Sequence, residues 1–195
     1  MKVYFYYGKD AINTYFLVNE KEKEGIIIDP AIINEHIIKK IEEEKIKLKS
    51  AFLTNSNINI VNESLEAFLK IYTFKTYSPC SMLEKIALDD MKIFNVSNLK
   101  ESKILKAGSF KINVFFLKPH YNYVCMYKIE NALFIGSPLL EFFLPQKDLS
   151  FTEKIEQKRI SNLLQGFDEK TIIFPLSGPP TTVKTIKFYG ANNNL

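Results

Sequence analysis

Apolar residues change their spacing several times along this chain, and each change marks an element. Val3 to Tyr7 and Ile12 to Val18 are β-branched and aromatic runs around Gly8-Lys9-Asp10, which predicts two strands joined by a turn. Gly25-Ile26-Ile27-Ile28 and Ser50-Ala51-Phe52-Leu53 are short and apolar on both faces, as in strands covered on both sides. Between them, residues 31 to 46 place Ile33, Ile37, Ile38 and Ile41 at helical spacing, after the turn residues Asp29-Pro30. Val61, Leu65, Phe68 and Leu69 predict a second amphipathic helix, and Met82, Leu83, Ile86 and Leu88 a third over Pro79 to Met91.

The second half has a different rhythm. Phe110 to Leu117, Tyr123 to Ile129 and Ala132 to Ile135 read as consecutive strands, the last two joined through Glu130-Asn131. Pro138 to Leu144 is densely apolar and reads as a short helix or a lid. Residues 152 to 164 carry Ile155, Ile160, Leu163 and Leu164 on one helical side, and Thr171 to Phe174 is one more buried strand. Pro175 to Pro180 turns into a last helix over Thr181 to Tyr189, followed by a frayed tail from Gly190. Strands and helices therefore recur in two similar halves, with no Pro/Gly/Ser-rich linker between them. The expected fold class is α/β: a four-layer αβ/βα sandwich, one domain across residues 1–195.

Composition narrows the function classes. At 195 residues and 46% hydrophobic content the chain can bury a sizeable core. The net charge of +4 is dispersed, because lysines alternate with glutamates in runs such as Lys21-Glu22-Lys23-Glu24. Arg159 is the only arginine, which argues against a nucleic-acid groove built on bidentate guanidinium contacts. No run is long and apolar enough to span a bilayer, and no secretory signal opens the chain, so a cytoplasmic protein without membrane contact is expected. The cysteines, Cys80 and Cys125, form no C-x-x-C pair and predict neither a disulfide framework nor a structural zinc. Cys125 lies in a strand as a small hydrophobe, whereas Cys80 stands near a predicted helix start. His36 sits in a charged helix and is read as surface.

Six short segments, in order, carry a family resemblance. They are Asn13-Thr14-Tyr15-Phe16-Leu17-Val18, Ile26-Ile27-Ile28-Asp29-Pro30, Phe52-Leu53-Thr54, Lys118-Pro119-His120 with Val124-Cys125-Met126-Tyr127, Leu133-Phe134-Ile135-Gly136-Ser137, and Pro175-Leu176-Ser177-Gly178-Pro179-Pro180-Thr181-Thr182. The first two are similar to N-x-Y-L-V and L-I-D-P-G, and the fourth to T-P-G-H followed by S-V-C-Y. The fifth and sixth resemble L-F-x-G-D and P-G-H-G-P-x-T-T. Together they resemble the metallo-β-lactamase superfamily, in its glyoxalase II-like hydrolase branch. That resemblance implies the αβ/βα sandwich. It also implies a dinuclear metal site of five histidines and two aspartates, in which metal-bound hydroxide is the nucleophile.

The ligand positions have changed chemistry. Where the family carries T-H-x-H-x-D-H, this chain has Thr54-Asn55-Ser56-Asn57-Ile58-Asn59-Ile60, so the histidine positions hold Asn55, Asn57 and Ile60 and the aspartate position holds Asn59. Ser137 stands at the bridging aspartate, Ser177 at the last histidine, and His120 alone keeps its identity. Amides and alcohols are weak neutral ligands and isoleucine is none, so the ancestral zinc site is expected to be lost and no cofactor is expected.

Each of these positions also has a plainer reading. Residues 54 to 60 read as a repurposed polar pocket or as a relic loop capping the next helix, since Asn and Thr cap well. His120 is the candidate catalytic residue, against a leftover at a strand end. Asp29 resembles the family's strand-end aspartate that orients loops, against ordinary turn chemistry before Pro30. Leu139, Leu140, Phe142, Phe143 and Leu144 read as core, as a hydrophobic lid, or as a homo-oligomer surface. The expected function is a catalytically degenerate pseudo-hydrolase that binds a small-molecule ligand or a protein partner. The alternatives are a residual thioester or ester hydrolase working through His120, and a structural oligomer subunit.

Overall fold

The computed structural model describes residues 1–8, 11–55, 62–79, 93–95, 104–117, 124–136 and 148–192. Its first half holds β1 (Lys2–Tyr7), β2 (Asn13–Asn19), β3 (Glu24–Ile28), α1 (Glu35–Glu43), β4 (Lys47–Phe52), α2 (Asn62–Ile71), β5 (Lys75–Ser78) and β6 (Ile93–Asn95). The second half holds β7 (Ile104–Ala107), β8 (Phe110–Leu117), β9 (Val124–Ile129), β10 (Ala132–Ile135), α3 (Phe151–Leu164), β11 (Ile172–Pro175), β12 (Thr181–Thr182) and α4 (Val183–Asn192). Two six-stranded sheets result, in the orders β1-β2-β3-β4-β5-β6 and β12-β11-β10-β9-β8-β7.

The layering follows from alternation along the strands, because successive side chains point to opposite faces. On β2, Tyr15 and Leu17 join Ile26, Ile28 and Phe52 in packing against Ile112, Val114, Tyr127 and Phe134 of the second sheet, forming the central core. Phe16 and Val18 point the other way, onto Ile37 and Ile41 of α1 and Leu65 and Phe68 of α2. The second sheet does the same with Met126, Leu133, Ile135 and Ile173, which pack on Ile160 and Leu164 of α3 and Val183 and Ile186 of α4. Strands β3 and β10 and residues 50–52 of β4 are buried on both faces for this reason, which explains why the sequence is so poor in charge there. The arrangement is the expected αβ/βα sandwich.

Several boundaries differ from expectation. The first helix begins at Glu35 rather than near residue 31, because Asn34 takes an extended backbone and its side chain accepts from the His36 N–H. The last helix runs on to Asn192, past the expected end at Tyr189. Strands β5, β6, β7 and β12 are short, and the apolar pattern did not predict them. They gain their place by pairing along sheets already nucleated by longer strands. The expected helix over Pro79 to Met91 and the apolar stretch Pro138 to Leu144 lie outside the described residues, apart from Pro79. Among the described residues, no helix is long and apolar enough to cross a membrane.

Candidate functional site

Parallel pairing decides which chain segments meet. Strands β3, β4 and β5 run parallel, so the residues after each emerge at one end of the first sheet. Strand β2 is antiparallel to β3, with Tyr15 opposite Ile28, so its start at Asn13 lies at that same end. In the second sheet β10 and β11 are parallel, and β9 starts beside the end of β10, with Met126 opposite Ile135. The rim of the sandwich therefore collects Asn13, Asp29, Thr54-Asn55, Val124, Gly136 and Ser177. A rim at the carboxyl ends of parallel strands is where α/β sheets present their ligands.

The two sheets are tied directly across this rim. The Cys125 N–H donates to the Thr54 carbonyl at 2.8 Å, and Asn55 forms an antiparallel bridge with Val124. The Asn55 amide nitrogen donates to the Gly136 carbonyl at 2.9 Å. Gly136 comes so close to Thr54 that an added Cβ would lie 2.6 Å from the Thr54 carbonyl carbon. On the far side of the rim, Asn13 N–H donates to the Leu176 carbonyl at 2.8 Å, and Ile12 bridges Ser177.

Asp29 fixes the site loop from below. Its carboxylate accepts from the Thr54 backbone N–H at 2.8 Å and from the Thr54 hydroxyl at 2.6 Å. Its own carbonyl accepts from the Thr14 hydroxyl at 2.8 Å, while that hydroxyl accepts from Ala31 N–H at 2.9 Å. Asp29 holds φ at 47°, a left-handed conformation that aspartate tolerates better than most residues. Burial pushes its carboxyl up to about 7, against the opposing pull of the two Thr54 hydrogen bonds. The loop-orienting reading of Asp29 describes this geometry, and the Pro30 turn is part of it.

Asn13 and Tyr15 hold the loop that carries Ser177. The Asn13 amide nitrogen donates to the Pro175 and Gly178 carbonyls at 3.0 and 2.7 Å and to the Tyr15 hydroxyl at 2.9 Å. The Tyr15 hydroxyl in turn donates to Pro175 at 2.6 Å. Burial raises the Tyr15 phenol well above its ordinary range, so it stays a donor. Tyr15→Phe is expected to cost about 1–3 kcal/mol, because it removes both the bond donated to Pro175 and the one accepted from Asn13, measured by urea unfolding. Sequence reasoning had the N-x-Y segment only as a family marker, without its role as a clamp.

Of the seven site positions read from the sequence, Asn55 and Ser177 are described, and both sit on this rim. Asn57, Asn59, Ile60, His120 and Ser137 lie outside the described residues, as do Cys80 and Leu139 to Leu144. Asn55 and Ser177 offer a carboxamide whose nitrogen is already engaged and a half-buried hydroxyl. Such a pair does not fit a zinc centre, whose ligands are imidazoles, thiolates or carboxylates. Cys125 is fully buried, its thiol is pushed far up by that burial, and it donates to the Leu53 carbonyl. Tyr127 donates to the same carbonyl at 2.9 Å. His36 is exposed, as expected.

Solved structures give the fold its class. The chain is similar to the BLEG-1 B3 metallo-β-lactamase, with a TM-score of 0.69 at 21% identity over 94% of this chain and 95% of that one. It is also similar to ETHE1 from Myxococcus xanthus, with a TM-score of 0.67 at 13% identity over 97% and 83% of the two chains. TTHA1623, solved in a di-iron-bound form, gives a TM-score of 0.67 at 16% identity over 98% of each chain. No protein-family model and no curated protein matches the sequence. The protein has the metallo-β-lactamase fold.

Proposed function

We propose that this protein is a catalytically degenerate form of the metallo-β-lactamase fold, a pseudo-hydrolase of the cytoplasm that binds a small ligand or a protein partner. Asn55 carries the reading. It stands at the first histidine position of the resembled motif, and its amide nitrogen is spent on the Gly136 carbonyl. The remaining ligand positions, by sequence, hold Asn57, Asn59, Ile60, Ser137 and Ser177. His120 is the one imidazole left among these positions, and a single imidazole with neutral amides and alcohols does not hold a Lewis acid tightly enough to lower the pKa of water, so hydroxide is not generated there at neutral pH.

Metal analysis tests the proposal. Protein purified without chelator and then incubated with zinc or ferrous iron is expected to retain well under one ion per chain after desalting. One or two tightly bound ions per chain would overturn it. The rival reading, a residual thioester or ester hydrolase using His120, draws support from the similarity to a B3 metallo-β-lactamase and to a di-iron-bound protein. Turnover of a generic aryl ester or thioester that disappears in His120→Ala would establish that rival.

A further inference from the structure

The first strand has an open side, and the register says which groups face it. The Gly8 N–H donates to the Ile12 carbonyl, and β1 pairs with β2 in unbroken antiparallel register from Lys2 opposite Val18 to Tyr7 opposite Asn13. Hydrogen-bonded pairs alternate along an antiparallel ladder, so Lys2, Tyr4, Tyr6 and Gly8 turn their backbone groups toward β2. Val3, Phe5 and Tyr7 therefore turn theirs outward, away from the sheet. Among the described residues no hydrogen bond reaches those outward groups. Both cores also run out to this edge. Tyr4 and Tyr6 pack partly against the helix side and Val3 and Phe5 against the central core, yet all four stay half-exposed. Tyr7, stacked at a tilt on Phe5, is 58% exposed.

Edges are normally blunted by proline, a bulge or an inward charge. Residues 3 to 7 contain none of these, and Lys2 at the strand's beginning is the sole charge. A six-residue aromatic strand of this kind is a template for another strand. We propose that its occupant is a second copy of this chain, paired antiparallel about a two-fold axis through Phe5.

The strand is self-complementary in that register. Side chains opposite each other must share a face, which a centre on Phe5 satisfies. Phe5 then faces the partner's Phe5, Tyr4 faces the partner's Tyr6, and Val3 faces the partner's Tyr7. These are aromatic and aromatic–β-branched cross-strand pairs, the kind that stabilise a ladder. Lys2 falls opposite the partner's Gly8, so no like charges meet. The same register makes Phe5 with the partner's Phe5, and Val3 with the partner's Tyr7, hydrogen-bonded pairs, which satisfies every outward group of Val3, Phe5 and Tyr7. The two first sheets become one continuous sheet, and the symmetry closes at a dimer.

A seam of this length is at the small end of stable interfaces, so dissociation in the micromolar range, about 1–100 µM, is expected. Sedimentation equilibrium of the full chain should give twice the 22.6 kDa chain mass at high concentration. Tyr7→Pro removes an outward N–H while leaving the ladder with β2 intact, and Tyr7→Lys sets an ammonium against the partner's Val3. Each should weaken dimerisation by about 100-fold with an unchanged circular dichroism spectrum. A wild-type chain that stays monomeric at about 500 µM overturns the proposal. So does a dimer that survives in folded Tyr7→Pro, or one lost instead in Phe142→Asp, which would put the contact elsewhere. Open-ended polymers in place of a dimer would refute the two-fold register.

Discussion

Replacing Gly136 with alanine is expected to cost the fold about 3 kcal/mol or more, the high end of what overpacking does. The added Cβ would press on the Thr54 carbonyl oxygen and lie 2.6 Å from its carbon and 2.9 Å from the Thr54 Cβ. The carbonyl atoms are backbone in a loop held from the other side by Asp29, so no flexible side chain can swing away. Relief requires Thr54 and Gly136 to separate. That movement breaks the Cys125 to Thr54 hydrogen bond and the Asn55 to Gly136 hydrogen bond together. Gly166→Ala is the internal control, because its Cβ would meet a single atom at 3.8 Å. Urea unfolding of both variants is the measurement. A Gly136→Ala loss no larger than that of Gly166→Ala would show that the loop and the second sheet are not locked as described.

The lock at Gly136 also shows where sequence stops being readable. Elements that bury a periodic apolar set, such as β2 with Tyr15 and Leu17 on one face and Phe16 and Val18 on the other, follow from alternation alone. So do the two sheets covered by helices. Strand β5, with Lys75-Thr76-Tyr77-Ser78, has no apolar run of its own. It exists because β4 offers it a parallel edge and Tyr77 stacks on Phe52 with centroids 4.8 Å apart. At the rim, the identities of Asn55 and Ser177 were visible in the motif, but their engagements were not. A carboxamide in a sequence looks equally suited to a ligand, a helix cap or a backbone carbonyl across a sheet gap. The choice is made by residues 81 positions away, in the case of Gly136. Likewise, Thr54 is legible in the sequence only as the first residue of the resembled motif. Its importance comes from Asp29, Cys125 and Gly136 converging on it.

The same convergence makes Asp29→Asn a probe of pH dependence. Burial raises the Asp29 carboxyl to about 7 in the folded chain, above its ordinary value of 3.8, although both Thr54 hydrogen bonds favour the charged form. A raised folded pKa means that the folded chain holds a proton the unfolded chain releases. The associated stability is full below pH 3.8, falls as pH rises, and is gone above about 7. A tenfold change in proton affinity corresponds to about 1.4 kcal/mol, so this group alone lowers stability by roughly 4 kcal/mol across that window. Carboxylates held low act in the opposite direction. In Glu24, hydrogen bonds from Lys49 and Ser109 outweigh burial, and in Glu153 the Ser150 hydrogen bonds dominate. The comparison with Asp29→Asn cancels them, since they are common to both proteins. Asparagine tolerates the left-handed φ, accepts from the Thr54 N–H through its oxygen and donates to the Thr54 hydroxyl through its nitrogen. Around the site Tyr15, Cys125 and Tyr127 all feel the Asp29 charge, which raises their own pKa values further and keeps them neutral throughout. Asp29→Asn is therefore expected to match wild type near pH 4 and to exceed it by roughly 2–4 kcal/mol at pH 8. Unfolding by urea from pH 4 to 8 reads the difference. A gap that stays constant across the series would mean that Asp29 is ionised throughout, held as an anion by Thr54.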